Sequence, residues 1–205
     1  MAGYFEATRE PEGGASIALD DVEISILRSL ATQLLELIGP ERGPADAGAD
    51  PLDALFAEGP SEPPKDPALA RLFPDAYGEP GQVADDEVRR QSAEFRRFTE
   101  SDLRARKRDD LLAMVRGLDE AASGAEAGEA GGGAAVLTLG PEEAKRWLGA
   151  LNDLRLTIAV RLDIKDDEQA EALFDIPEGD ADKPMVMAYV WLGALQDSLI
   201  GTLLP

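Results

Sequence analysis

Cysteine and histidine are both missing from the 205-residue chain. Their absence excludes disulfides, thiol nucleophiles, thiol redox sensing, zinc sites of the usual Cys/His kind and imidazole acid–base catalysis. What is left for chemistry is carboxylates, lysine, serine, threonine and tyrosine, and no HExxH, GxSxG, Walker or GxGxxG pattern organises them. Paired acids such as Asp85-Asp86, Asp109-Asp110, Glu142-Glu143 and Asp166-Asp167 are plentiful, but in so acidic a background they carry no catalytic signal. They also lack the alternating ligands around a central glycine that a calcium loop needs. No catalytic residue, metal site or cofactor is expected, and the chain is read as not an enzyme.

Positive charge is scarce as well. Twenty basic residues face 41 acidic ones, a formal charge of −21, which repels phosphate backbones and disfavours autonomous DNA binding. The opening MAGYFEATRE has neither a basic n-region nor an apolar run, so no secretion signal is expected and a cytoplasmic location follows by default. Met185 to Leu204 is apolar for most of its length, yet Gln196 and Asp197 interrupt it and no Lys/Arg cluster follows. It is read as a buried core helix rather than a membrane span.

The segment around which the chain is organised is Pro141 to Leu162. At about 100° per residue, Trp147, Leu151, Leu154, Ile158 and Leu162 share one face, and Leu156 and Val160 form a second apolar strip. A helix apolar on two sides is expected at the centre of a fold. Arg155 lies within the main apolar face, where a guanidinium needs a partner. On the last helix Gln196 sits among Met185, Tyr189, Leu192, Leu195, Leu199 and Leu203. A bond from Arg155 to Gln196, or to a carboxylate such as Asp102 or Glu94, would satisfy it. Asn152, Arg155 and Gln196 are therefore expected to form a structural polar core.

Elsewhere, Tyr4 to Thr8 and Ala15 to Leu19 flank a turn-rich stretch and read as a small hairpin, with Val136 to Leu139 a short strand beside it. Asp20 and Glu23 form a capping box that opens a helix with Val22, Ile26, Leu27, Leu30, Leu34 and Leu37 on its face, stopped by Gly39-Pro40. Asp66-Pro67 launches a short helix, and Phe73 to Tyr77 makes a turn with two aromatic anchors. Between Asp85 and Leu118 the apolar face moves: Val88, Phe95 and Phe98 point well away from Leu111, Met114, Val115 and Leu118. Either one helix packs on two partners, or a new helix starts at Thr99 to Asp102. Asp167 to Phe174 reads as a short helix.

The whole is expected to be a single, mainly α domain over 1–205, with four to five main helices and a small N-terminal β-hairpin. Residues 40–65 are read as an acidic flexible insert, with Leu52, Leu55 and Phe56 as one docked turn, and 119–135 as a disordered Gly/Ala/Glu loop.

Arginines crowd the central stretch from Arg89 to Arg116, interleaved with acids, a pattern that suits near-neighbour ion pairs better than a nucleic-acid patch. Arg71, Phe73 and Tyr77 bring together residue types common in binding hot spots. With Arg96, Arg97 and Arg104 they are the candidate partner contacts, although the aromatics could instead pin a loop onto the domain.

Four blocks, DPALARLFPDAY at Asp66 to Tyr77, EFRRFTESDLRARK at Glu94 to Lys107, WLGALNDLRLTIAVRL at Trp147 to Leu162 and WLGALQDSLI at Trp191 to Ile200, resemble the AosR family of actinomycete oxidative-stress regulators. The resemblance implies a cytoplasmic transcription factor that works with an alternative sigma factor or RNA polymerase in redox homeostasis and cysteine supply, with direct DNA binding weak or indirect. An acidic chain suits docking on a basic protein surface. The lack of cysteine departs from what a thiol-based sensor would need. An acidic adaptor or scaffold in protein turnover or sulfur metabolism, with no DNA role, is the alternative.

Overall fold

The computed structural model describes residues 3–40, 59–78, 85–127, 134–177 and 179–204. The expected docked turn at Leu52, Leu55 and Phe56, and the central part of the expected Gly/Ala/Glu loop, lie outside these residues. Among them the order is β1 (Glu6–Ala7), β2 (Ala15–Leu19), α1 (Asp21–Ile38), α2 (Pro67–Leu72), α3 (Asp86–Ala127), β3 (Ala135–Leu139), α4 (Pro141–Arg161), α5 (Asp167–Ala172) and α6 (Lys183–Leu203). The architecture is mainly helical. The β element exceeds a hairpin, because β3 joins it to give a three-stranded antiparallel sheet ordered β1-β2-β3.

The sheet forms because its strands alternate. Ala15, Ile17 and Leu19 of β2 and Ala135, Leu137 and Leu139 of β3 are buried, and the register pairs Ala15 with Leu139, Ile17 with Leu137 and Leu19 with Ala135. Thus one face of the sheet is greasy and sits on the helices. Phe5, just before β1, donates its backbone N–H to Ser198 Oγ of α6 at 3.1 Å and stacks edge-on against Trp147 of α4, with centroids 6.1 Å apart. The two ends of the chain are thereby tied together.

Helix α4 is central, packing against α2, α3 and α6 and more lightly against α1 and β3. Proline at its start and a bond from Gly140 N to Glu143 Oε2 at 2.9 Å set its N-terminus. Trp147, Leu151, Leu154 and Ile158 are buried as the apolar periodicity predicts, joined by Ala144, Ala150 and two polar residues, Asp153 and Thr157. Helix α1 is capped by the Asp20–Glu23 box. Its buried stripe is Ile24, Leu27, Ala31, Leu34 and Ile38, so the expected face is displaced: Val22 is 65% exposed and Ile26 40%. The helix carries apolar residues on two stripes, and α3, with α4 more lightly, takes the one that includes the small Ala31.

The moving apolar pattern of 85–118 resolves into one continuous helix. α3 has 42 residues, about 63 Å at 1.5 Å per residue. Thr99 starts no new helix, because its hydroxyl donates to Phe95 O at 2.9 Å within the same ladder. The helix also runs through 119–127, part of the segment expected to be a disordered loop; alanine and glutamate are strong helix formers there. Gly117 interrupts its interior, facing Leu137 and Trp147. A Cβ at that position would lie 3.5 Å from Leu137 Cδ1 and 3.5 Å from Trp147 Cζ2, ordinary contact distances. Gly117→Ala is therefore expected to raise stability by up to about 1 kcal/mol, read as an increase in the urea midpoint. A decrease would mean that the Trp147 pocket is fuller than these distances allow.

Helix α6 is long and apolar enough to cross a membrane by length and composition. One face of it is buried in the core as expected, at Val186, Leu192, Leu195 and Leu199, whereas Met185, Tyr189, Val190 and Trp191 are half-buried and Met187 is exposed. One side packs on α4 and the other borders a groove shared with α1.

Candidate partner-contact surface

The inward stripe of α3 explains what its first half does. Ser92, Arg96, Glu100, Arg104 and Arg108 recur every four residues and run into Leu111, Met114 and Leu118, one continuous face. Its second half is apolar and fully buried. Its first half is polar, and the RLFPDAY turn is fastened to it.

Arg96 is 4% exposed and Glu100 3%. The two pair one helical turn apart, and Arg96 also reaches Asp75 Oδ1 at 2.8 Å. Both terminal nitrogens of Arg96 donate to Phe73 O at 3.1 Å. Glu100 accepts in turn from Arg104 Nε at 2.8 Å, while Arg104 Nη1 donates to Ile38 O at 3.0 Å and its guanidinium lies 4.3 Å over the Phe73 ring. Two arginines and two carboxylates thus form a neutral chain, buried at Arg96 and Glu100 and opening to solvent through Arg104 and Asp75. Burial works against the charge on Arg96, but the bonds to Asp75 and Glu100 outweigh it and hold its pKa above the usual value. Ser92 Oγ donates to Tyr77 O at 3.2 Å and accepts from Tyr77 N at 3.3 Å, pinning the end of the turn. Arg104 and Arg108, which bonds Leu35 O at 3.3 Å and also Gly39 O, cap the C-terminal carbonyls of α1. That helix has no basic residue in its own last turn.

The six candidate contacts consequently divide. Phe73 and Arg96 are internal, a correction to their reading as surface contacts, because Phe73 O, Asp75 and Glu100 take up the terminal nitrogens of Arg96. Arg104 is half-buried in the same chain. Arg71 is exposed, Tyr77 is 47% exposed, and Arg97 is half-buried with its guanidinium 5.5 Å from the Phe98 ring. On the outer side of α3 the structure brings Phe95 (46% exposed) edge-on to Tyr77 at 5.9 Å and leaves Phe98 64% exposed. Phe95 and Phe98, which form this outer aromatic patch with Tyr77, are not among the six candidates. The signal for them was present, since their direction disagrees with that of Leu111 and Met114.

Asn152, Arg155 and Gln196 are also brought together. Arg155 Nη1 donates to Gln196 Oε1 at 2.7 Å and its guanidinium lies 5.2 Å from the Tyr189 ring, with Asn152 Oδ1 3.5 Å from Gln196 Nε2. The group sits at the seam of α4 and α6 with Asn152 exposed, so it is a half-open lock and not a core.

A second ionic cluster, unforeseen in the sequence, joins α3 to α4. Lys107 Nζ bonds Asp153 Oδ1 at 2.6 Å, and Asp110 lies nearby among Arg106, Arg146 and Asp153. Burial raises the Asp153 carboxyl despite Lys107, and burial likewise raises Asp110 despite Arg106 and Arg146. A raised folded value means that these carboxyls favour folding fully below their ordinary value near 3.8, and that this contribution is lost as pH rises through the folded values. These two groups are expected to raise the melting temperature as pH falls through their folded values towards the ordinary carboxylate value, and Asp110→Asn is expected to flatten that rise. Identical slopes in the two proteins would contradict the assignment. Among the described residues no group of three or more His, Cys, Asp or Glu is placed to hold a metal ion.

No solved structure matches the chain. A protein of Mycobacterium leprae (strain TN), designated by name alone as an oxidative stress regulator, AosR, is 29% identical over 188 residues, 87% of this chain and 77% of that protein. The family model described as Domain of unknown function (DUF2017) matches residues 5–203, and the chain belongs to that family.

Proposed function

We propose that the protein is a non-enzymatic, cytoplasmic regulator of oxidative-stress and cysteine-supply genes that acts by contacting an alternative sigma factor or RNA polymerase. The observation that carries this reading is the exposed aromatic strip of Tyr77, Phe95 and Phe98 on the outside of α3, with Arg97 beside it, while the arginines behind it are occupied internally. Aromatic residues next to arginine are the side chains that supply most binding energy at protein contacts. The −21 charge suits a basic protein surface and opposes unaided DNA binding. The name of the mycobacterial relative is consistent with a stress role.

A pull-down with the tagged full chain from oxidant-treated cells tests the partner, beside a gel-shift with the purified protein on promoter DNA. Recovery of a sigma factor or polymerase subunit, with no shift of DNA at physiological salt, is expected. Recovery of a protease or sulfur-metabolism enzyme without any transcription protein would favour the adaptor or scaffold alternative.

A further inference from the structure

Sulfur in this chain is confined to four methionines. Two of the described ones, Met185 and Met187, lie on α6, and the third, Met114, is fully buried in the core. Met187 is 56% exposed and Met185 half-buried. Both line a groove of about 690 Å³ between α1 and α6, with Ile26, Leu30, Ile158 and Trp191 among its other walls. Trp191 follows Met187 by four residues, so their Cβ atoms are neighbours on one helix face, about 5–6 Å apart. The indole Nε1 of Trp191 is buried and has no hydrogen-bond partner among the described residues.

We propose that Met187 is an oxidation site and that the indole N–H of Trp191 receives its sulfoxide oxygen. The reduced thioether is a weak acceptor, and the buried donor of Trp191 is left unsatisfied. Hydrogen peroxide supplies the oxygen: a sulfur lone pair attacks one peroxide oxygen, the O–O bond breaks, and the departing hydroxide takes the remaining proton to leave as water. Sulfur is oxidised by two electrons and peroxide is reduced. The product S=O is a strong acceptor one turn from an unpaired donor, whereas Met114 is fully buried and out of reach of peroxide in the folded chain. Oxidation also places a polar group on the wall of an apolar groove, changing what that groove accepts. The inference does not depend on the identity of the partner.

The test treats the full chain, labelled with ¹⁵N at the tryptophan indoles, with limiting hydrogen peroxide and maps the oxidised peptides. Met187 is expected to react faster than Met114 by on the order of tenfold or more, and the Trp191 indole N–H resonance, assigned with Trp191→Phe, is expected to move downfield in step. Methionine sulfoxide reductase with a dithiol should restore it. Met187→Leu should abolish the shift, and Met187→Gln, which offers an amide oxygen at the same place, should reproduce much of it without oxidant. Oxidation of Met185 or Met114 ahead of Met187, or a Trp191 resonance that stays in place once Met187 is oxidised, would overturn the proposal.

Discussion

Arg96→Ala is expected to destabilise the folded chain by about 3–5 kcal/mol, the range for removing one member of a buried ion pair. The reason is the position of its partners. Glu100 is 3% exposed, and losing Arg96 leaves that carboxylate with Arg104 alone while Phe73 O loses both of its donors. Glu100→Gln should also be costly, because it leaves Arg96 and Arg104 with Asp75 as their remaining carboxylate and turns an amide N–H towards one of the two guanidiniums, but the partial exposure of Arg104 and Asp75 should keep the loss below that of Arg96→Ala. A double change, Arg96→Met with Glu100→Leu, should recover much of the loss, since an apolar pair needs no hydrogen bonds. Urea unfolding of the set measures it. A loss under about 1 kcal/mol for Arg96→Ala would mean that the guanidinium is solvated, as an ordinary surface pair would be.

Trp147→Ala is expected to lower stability by a comparable amount, about 3–5 kcal/mol. Trp147 is 1% exposed at the junction of α4 with Phe5 before β1, with the Gly117 position of α3 and with the sheet. Removing the indole opens a cavity between close-packed helices and the N-terminal segment, which can relax only in part to fill it. Trp147→Phe should cost much less, because a smaller ring can still meet Phe5. Thermal unfolding monitored by circular dichroism separates the two variants. Equal melting temperatures for Trp147→Ala and the parent would show that the sheet is held by something other than this contact.

Much of the fold could be read from residue patterns because those patterns are local. The Asp20–Glu23 box, the Asp66-Pro67 start and the apolar periodicity of 141–162 each depend on neighbours within a turn or two, and each is present. The first half of α3 was not legible for the opposite reason. Burial there is decided by a distant turn: Phe73 O and Asp75 lie 23 and 21 residues before Arg96, and they make arginine and glutamate the inward residues. Phenylalanines at 95 and 98, apolar by type, are pushed outward by that choice. The displaced face of α1 has a similar origin, since two apolar stripes compete and only tertiary packing selects one. Exposed Ile26 then borders the groove lined by Met187 and Trp191.

The candidate surface was half visible for the same cause. Tyr77 and the neighbourhood of Arg97 were legible as hot-spot types, whereas Phe73, Arg96 and Arg104 carry the same types but serve the interior. The division separates a scaffold, whose loss is expected to destabilise the chain, from a surface, whose loss is expected to leave it folded.

Binding of purified full-length protein to RNA polymerase reconstituted with the alternative sigma factor, measured for the parent and for Phe98→Ala, tests the central claim most directly. A loss of affinity on the order of tenfold or more, about 1.4 kcal/mol, with an unchanged melting temperature is the predicted result. Equal affinity for both proteins, or no binding by either, would contradict the assignment of this aromatic strip as the functional contact.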